Sequence, residues 1–304
     1  MLIWDTLQGN LRRFFRIPFF PSEQAALSKE ALEQQILFEL TGENPGNCLF
    51  GRYDENKVMA IADKAGLLRG LARAGYPDPI LSLSVSDPSD QRICLYAGEK
   101  TRERLLLELR LNLINFHPGR KIGPFGEETC FRILVLSWLV LSDPDRDFSL
   151  PRPRLPGQKR PGLGLLDEVF YLLRTFARDL CVDGMLDTPE HFHTALFYSR
   201  VFHFLDPEVE GRFRAIARDL KNVPLALASD AIRRDCLFNR ETGELLPWQA
   251  SEQVMAERGL LRRFFRSREY RTLRDIAGSK THAIVNWDLY REKLAAQNSL
   301  NKYP

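Results

Sequence analysis

The segment Gln158–Leu205 contains an order of elements that narrows the choice of folds more than any other part of the chain. From Leu163 to Leu180, apolar residues recur three and four positions apart, a spacing that predicts a long amphipathic helix. A short strand is predicted directly afterwards, over Val182–Leu186, and an amphipathic segment follows over Pro189–Phe202. This stretch therefore predicts a turn, a helix, a strand and a second helix in that order.

A second apolar stretch upstream supplies a partner for the predicted strand. Phe131–Leu141 is strongly apolar and predicts a central strand that is buried on both faces. We expect Ile133–Leu141 and Val182–Leu186 to be neighbouring parallel strands joined by the helix between them, through a right-handed crossover. The proline-rich residues 143–158 separate this strand from the helix, and their length is unusual for such a connection.

The turn before the long helix has the chemistry of an anion site. It reads Lys159-Arg160-Pro161-Gly162-Leu163-Gly164, so two residues without a Cβ directly precede the free amides of a helix start. Such amides, together with the helix dipole, attract phosphate groups. A plain turn between strand and helix is the alternative reading of the same residues.

This arrangement resembles the GCN5-related N-acetyltransferase (GNAT) superfamily. That family carries Arg/Gln-x-x-Gly-x-Gly/Ala between its core strand and its pyrophosphate-binding helix, and this chain has Lys159 at the first position. The family motif Asn-x-x-Ala-x-x-Tyr is matched by Ala195 and Tyr198, with Phe192 in place of Asn. At the position of the Gly-Phe pair that follows, the chain reads Phe202-His203-Phe204. The resemblance covers about half of the chain.

The resemblance implies a fold and a cofactor. The implied fold is α+β, with a mixed, mostly antiparallel sheet flanked by helices. The implied co-substrate is acetyl-CoA or another acyl-CoA, whose pyrophosphate would meet the backbone amides of Gly162, Leu163 and Gly164. Lys159 and Arg160 would supply the counter-charge.

Acyl transfer to an amine also needs a proton acceptor for the amine and a proton donor for the leaving thiolate. Tyr198 matches the tyrosine that often acts as the acid in the family, although a half-buried structural tyrosine would give the same pattern. Glu108 is a candidate base, because a carboxylate on an apolar strand is expected to have a raised pKa; an exposed glutamate on the strand face is the alternative. His193 is a candidate near the acceptor, since a neutral imidazole can act as a base.

No metal site is expected. His191 and His193 are two positions apart, which on a helix points their side chains roughly 200° apart. The sequence also lacks the Gly-x-Ser-x-Gly, His-Glu-x-x-His and Walker-type motifs. Serine hydrolase, zincin and nucleoside triphosphatase chemistry are accordingly disfavoured.

Composition sets broader limits. The net charge of +3 is too small to indicate nucleic-acid binding by itself. The five cysteines are odd in number and widely spread, which favours free thiols in a reducing cytoplasm. The chain starts without a signal-peptide pattern, and its longest apolar run, Ile133–Leu141, is too short to span a bilayer. We therefore expect a cytoplasmic protein without a transmembrane segment.

The sequence predicts three regions. Residues 1–56 form an arm and a helix, 57–205 form the acyltransferase-like domain, and 206–304 form a mostly helical extension that includes a helical, arginine-rich stretch over 251–276. The domain is expected to begin with a helix over Lys57–Ala74, followed by the strands Ile80–Ser86, Arg92–Ala97 and Leu105–Leu111.

One hexapeptide occurs twice, as Leu-Arg-Arg-Phe-Phe-Arg at 11–16 and at 261–266. We expect Phe14, Phe15, Phe264 and Phe265 to be mostly buried and the arginines exposed. The alternative is a pair of arms for an acidic partner.

The sequence thus favours transfer of an acyl group to an amine on a small molecule or a protein. Two other functions stay open. One is a non-catalytic scaffold on the same fold; the other is a transferase that uses an aminoacyl-tRNA donor, with the arginine clusters as its RNA-binding surface.

Overall fold

A computed structural model of the chain describes residues 48–118, 125–126 and 128–300. The first half contains helices α1 (Glu55–Lys64) and α2 (Leu67–Ala74), strands β1 (Pro79–Ser84), β2 (Gln91–Ala97), β3 (Leu105–Phe116) and β4 (Phe131–Leu141), helix α3 (Leu166–Asp179), strand β5 (Gly184–Asp187), helix α4 (Phe192–Tyr198) and strand β6 (His203–Phe204). The second half contains α5 (Pro207–Asp219), α6 (Leu225–Arg233), β7 (Leu237–Asn239), β8 (Gln253–Ala256), α7 (Gly259–Arg266), α8 (Arg268–Ser279), β9 (Ala283–Val285) and α9 (Trp287–Leu300).

The protein is a mixed α+β structure, built on a mostly antiparallel sheet with helices on both faces. Within the described residues the sheet has seven strands in the order β1-β2-β3-β4-β5-β8-β6, and β7 pairs with β9 in a separate ribbon. The neighbours β4 and β5 are parallel: Ile133 pairs with Gly184, Leu134 with Met185 and Val135 with Leu186. The prediction that these two segments are adjacent parallel strands joined by a helix is confirmed.

Glycines divide and end the helical region that precedes the sheet. Lys57–Ala74 was expected to be one helix, but Gly66 adopts a left-handed conformation with φ +80° and separates α1 from α2. Gly75, with φ +106°, ends α2 as the sequence predicts. The Asp54 side chain accepts a hydrogen bond from the Lys57 amide and caps the start of α1.

The predicted strands before β4 are confirmed, and β3 is longer than expected, running to Phe116. The expectation that β4 is buried on both faces is wrong for its second half. Ser137 is exposed at the register shift between β3 and β4, where it has no strand partner, and Trp138, opposite Arg110, is 48% exposed.

Residues 251–276 are not helical throughout, which corrects the prediction for this stretch. Gln253–Ala256 form β8, which pairs antiparallel with β5 on one side and with β6 on the other. The region after residue 206 therefore contributes a strand to the main sheet as well as helices. The helices α7 and α8 follow β8 directly.

Three apolar clusters hold the layers together. The first fills one face of the sheet beneath α1, α2 and α3, and includes Phe176 and Met185. The second lies among α4, α5, α6 and the β7–β9 ribbon, around Phe204 and Phe213. The third covers the opposite face of β4, β5 and β8 and is closed by Phe264 from α7.

The repeated hexapeptide is described only at its second copy, because residues 11–16 lie outside the described residues. In α7, Phe264 is buried and Phe265 is half-buried, whereas Arg262, Arg263 and Arg266 are exposed. The expected burial is thus confirmed for Phe264 and holds in part for Phe265.

All five cysteines are free thiols. Among the described residues, no helix combines the length and the apolar character needed to cross a membrane.

Candidate functional site

The parallel strands β4 and β5 separate beyond their paired residues, and we call the opening between them the fork. β4 and β5 are paired only from Ile133 to Val135, and β5 ends at Asp187 while β4 continues to Leu141. Beyond Val135, no strand of the described residues pairs with this edge of β4. An edge without a paired strand is the kind of sheet edge to which an extended peptide-like chain can add as a strand.

The glycine-containing turn lies beside the far end of β4. The Asp143 amide, just after the strand, donates a hydrogen bond of 2.8 Å to the Pro161 carbonyl. A Cβ built on Gly162 would lie 3.7 Å from the Leu141 carbonyl oxygen, an ordinary contact distance. Gly164 has φ +75° and open space where a Cβ would be. An alanine at Gly164 would therefore meet backbone strain rather than a steric clash.

The helix that follows this turn has free amides at its start. Leu165 is the residue before α3, and no side chain caps the helix there. The first backbone N–H groups of such a helix lack partners within the helix and favour a negative charge. Leu163 packs partly into the main core, so its backbone is its contribution to this turn.

Basic side chains surround the turn. Lys159 is exposed, and Arg160 is exposed while its Nη1 donates to the Pro144 carbonyl at 3.0 Å. The first turn of α3 contains two carboxylates, Asp167 and Glu168, and Arg200 forms an ion pair of 2.6 Å with Asp167. We call the turn and the uncapped start of the helix, with these cations beside them, the cradle (residues 159–166).

Tyr198 lies in the main core next to the end of β5. Its side chain is buried, and its ring makes an edge contact with Phe170, with ring centroids 5.2 Å apart. Burial, and then the charge of the nearby Asp187, raises the pKa of Tyr198. The phenol therefore keeps its proton at neutral pH, as a proton donor must.

Asp187 is a residue that the sequence reasoning missed. It is the last residue of β5 and lies directly opposite Gln253 of β8. Asp187 is 9% exposed, and burial raises the pKa of its carboxyl to about 7. The sequence signal that could have identified Asp187 is its position as an acidic residue directly after the apolar residues of a strand. Nothing in the local sequence indicates that it is buried.

Glu108 is separated from Tyr198 by the sheet. It pairs across the strands with Cys94 and Val140, on the face opposite the core that contains Tyr198. Its Oε1 accepts a hydrogen bond of 2.8 Å from Nε of Arg110. Glu108 is thus a half-buried member of an ion pair and is not brought together with the other candidates.

His193 lies between α4 and α6 instead of facing the fork. Its Nδ1 is 2.7 Å from the Ser229 Oγ, and both residues are buried. Burial, followed by the neighbouring His191, lowers the pKa of His193 to about 4, so the ring is neutral at neutral pH. Next to this pair is a pocket of about 200 Å³, which Ser229 and Trp248 help to line. Tyr198 is five positions further along α4, in the main core.

Comparison with family models, with curated proteins and with solved structures finds no match for this chain. The candidate site is therefore defined by its own geometry. The structure brings the cradle to the end of the open part of β4, and it places Asp187 at the end of β5, where its charge acts on the phenol of Tyr198. It places Glu108 and His193 elsewhere.

Proposed function

We propose that this protein transfers an acyl group from acyl-CoA to an amine. The observation that carries the proposal is the fork: a parallel strand pair that opens beyond Val135, with the uncapped start of α3 beside the end of its longer strand. A strand edge and an anion site in this order suit a ligand that has a chain of amides attached to a pyrophosphate. The GNAT resemblance of the same turn supports the choice of coenzyme A.

Each part of the site has a task that its chemistry supports. The amides of Gly162, Leu163 and Gly164 hold the pyrophosphate, and Lys159 and Arg160 balance its charge. The open edge of β4 binds the pantetheine amides and aligns the thioester. Coenzyme A then supplies an acyl group activated as a thioester.

Tyr198 donates the proton to the departing sulfur. Its burial against Phe170 fixes the phenol, and its raised pKa keeps the O–H bond intact until a thiolate forms nearby. The amine attacks the thioester carbonyl directly, so no acyl-enzyme intermediate is required. These assignments make Tyr198 the acid of the reaction.

A binding measurement tests the proposal. Isothermal calorimetry with acetyl-CoA, and with a longer acyl-CoA, should give heat of binding with the unaltered protein. Gly162→Asp should abolish binding, because its side chain occupies the space where backbone meets phosphate and its charge repels the ligand. Gly243→Asp adds the same side chain at an open turn with positive φ, where Asp is tolerated, and should leave binding unchanged.

Tyr198→Phe separates binding from catalysis. It removes only the phenolic O–H, so acyl-CoA should bind nearly as well while turnover falls roughly a hundredfold or more, the usual contribution of a general acid. If neither acyl-CoA gives heat with a protein that circular dichroism reports as folded, the acyl-CoA proposal is rejected.

One observation favours a non-catalytic scaffold as the second candidate. Phe192, at the position where the GNAT motif has Asn, is buried against Phe213 and Trp248 and brings no polar group to the fork. A scaffold of this kind would bind acyl-CoA or a partner without turnover, which a product assay across amine acceptors distinguishes.

The exposed arginines of α7 keep an aminoacyl-tRNA donor as a third candidate. Arg262, Arg263 and Arg266 face solvent on one short helix. A steep loss of tRNA affinity with rising salt, reduced when these arginines are replaced by Gln, would favour this candidate over acyl-CoA.

A further inference from the structure

Two buried hydrogen-bond acceptors face each other at the fork. Asp187 ends β5 and Gln253 begins β8, and the two residues are direct partners in the antiparallel pairing. Asp187 is 9% exposed and Gln253 is fully buried. Directly opposed residues on paired strands have their Cβ atoms about 5 Å apart, so the two side chains leave the sheet on the same face.

Both residues have an oxygen without a donor. Asp187 Oδ2 and Gln253 Oε1 are buried and have no hydrogen-bond partner among the described residues. The other half of the Gln253 amide is engaged, because its Nε2 donates to the Ala195 carbonyl. A buried acceptor without a partner is costly, and two neighbouring ones call for a group with more than one donor.

The electrostatic surroundings indicate the sign of that group. Among the described residues, the influences on the Asp187 pKa are burial, which raises it to about 7, and the Thr188 backbone amide, which lowers it. Neither supplies a positive charge. The carboxylate form of Asp187 therefore has no cation beside it among the described residues, and a cationic ligand would supply one. An ammonium group offers both the charge and several N–H donors.

We propose that Asp187 and Gln253 bind the ammonium group of the acyl acceptor, and that Asp187 accepts its proton before attack. This inference rests on the proposed acyl transfer. Asp187 takes one proton from R–NH₃⁺ and becomes a carboxylic acid, which leaves a neutral amine held by Gln253 Oε1. The new N–C bond forms as the C–S bond breaks. The nitrogen loses a second proton, which Tyr198 relays to the thiolate, and Asp187 later releases its proton to solvent.

The other candidate bases are less suited to this task. The Glu108 carboxylate already has Arg110 as its cation and faces the opposite side of the sheet. His193 uses its Nδ1 in the contact with Ser229. Asp187, in contrast, has a buried oxygen without a partner among the described residues, and its charge acts on the phenol of Tyr198.

The test uses ethylammonium chloride as a probe of the full-length protein. The melting temperature is measured at about pH 8, where Asp187 is ionised, with ethylammonium or with tetramethylammonium at equal ionic strength. Ethylammonium should stabilise the protein and tetramethylammonium, which has no N–H, should not. Asp187→Asn should weaken the apparent affinity roughly tenfold to a hundredfold, the cost of one charged hydrogen bond.

Two further variants control the experiment. Asp78→Asn makes the same change at an exposed carboxylate before β1, and should leave the effect of ethylammonium intact. Gln253→Met removes the second acceptor with a side chain of similar length, and it should also weaken the effect of ethylammonium. This variant keeps the test decisive if Asp187→Asn does not fold. The proposal is overturned by equal stabilisation of the wild type by the two cations, or by an effect that persists in whichever of the two site variants folds.

The failure of this inference can be told apart from the failure of the proposed function. If acetyl-CoA gives heat of binding but ethylammonium does not stabilise the protein, the proposed amine site is rejected and the acyl-CoA proposal stands. An ethylammonium effect that depends on Asp187, in a protein that binds no acyl-CoA, keeps an amine site and removes acyl transfer as its purpose.

Discussion

The Nδ1 atom of His193 lies 2.7 Å from the Oγ of Ser229, and this contact joins α4 to α6 inside the second apolar cluster. The pair is 36 positions apart in the chain. A neutral imidazole is required there, because the burial that lowers the pKa of His193 also makes its charged form costly.

Stability should therefore decrease in mild acid because of His193. The pKa of His193 is about 4 in the folded protein and 6.5 as a model value, so the unfolded chain binds this proton first as the pH falls. The contribution of His193 to the free energy of unfolding should fall by up to about 3 kcal/mol across that window, and the difference between wild type and His193→Asn isolates it from the opposite effect of Asp187. Urea unfolding of His193→Asn should lack this loss, whereas His117→Asn, at an exposed histidine, should keep it.

Asp187 should produce a pH dependence of the opposite sign. The pKa of its carboxyl is about 7 in the folded protein against a model value of 3.8, so the folded state holds the proton more tightly. Its contribution is complete at pH values below 3.8 and is lost as the pH rises through about 7. Asp187→Asn should gain up to about 4 kcal/mol relative to wild type between those limits.

The same urea titrations check this sign. Tyr198, the titratable group coupled to Asp187, stays protonated throughout because burial raises its pKa, so it adds no slope. The free energy of unfolding of Asp78→Asn should depend on pH in the same way as that of the wild type. A constant difference between Asp187→Asn and wild type at every pH would contradict the buried, proton-holding carboxyl.

The close crossing of α5 and α8 should make Gly211 intolerant of any side chain. A Cβ there would lie 2.1 Å from the Arg274 carbonyl oxygen and 2.9 Å from the Gly278 amide nitrogen, so backbone atoms would have to move. Gly211→Ala should destabilise the protein by about 2–3 kcal/mol in chemical denaturation. Gly278→Ala, where the nearest atom is at 3.3 Å, is the matched control and should cost clearly less.

Tyr270 should stabilise the fold through its hydroxyl group. Its O–H donates a buried hydrogen bond of 2.7 Å to the Phe204 carbonyl, which links α8 to the edge strand β6. Tyr270→Phe leaves that carbonyl unpaired and should cost about 1–2 kcal/mol. Tyr171→Phe, at a ring that is 46% exposed, should be nearly neutral. Equal effects would mean that the hydroxyl contributes nothing specific.

The sequence predicted the elements whose signals are local. The spacing of apolar residues in α3 and the apolar run of β4 each follow from burial of one helix face or one strand, and a short connection then constrains their pairing. The positive φ of Gly75 at the end of α2 is likewise a local effect. The parallel pairing of β4 with β5 could therefore be derived before the structure was known.

Long-range pairing was not predictable in the same way. Gln253–Ala256 is only four residues long and adjoins an arginine-rich helical pattern, so its assignment to β8 depends on the exposed edge of β5 about seventy residues earlier. The contact of His193 with Ser229 and the burial of Asp187 likewise depend on residues that are distant in the sequence. The candidate site was accordingly predicted at its cradle and at Tyr198, and missed at Asp187.

The position of β8 also has a consequence for how the chain is made. Because β8 lies between β5 and β6, the sheet cannot be completed until residue 256 has left the ribosome, and until then β5 has an unpaired edge that includes Met185 and Leu186. Such edges invite pairing with other chains. The helices α5 and α6 are synthesised in that interval, and a nascent chain that stops before β8 is the form of this protein most prone to aggregate.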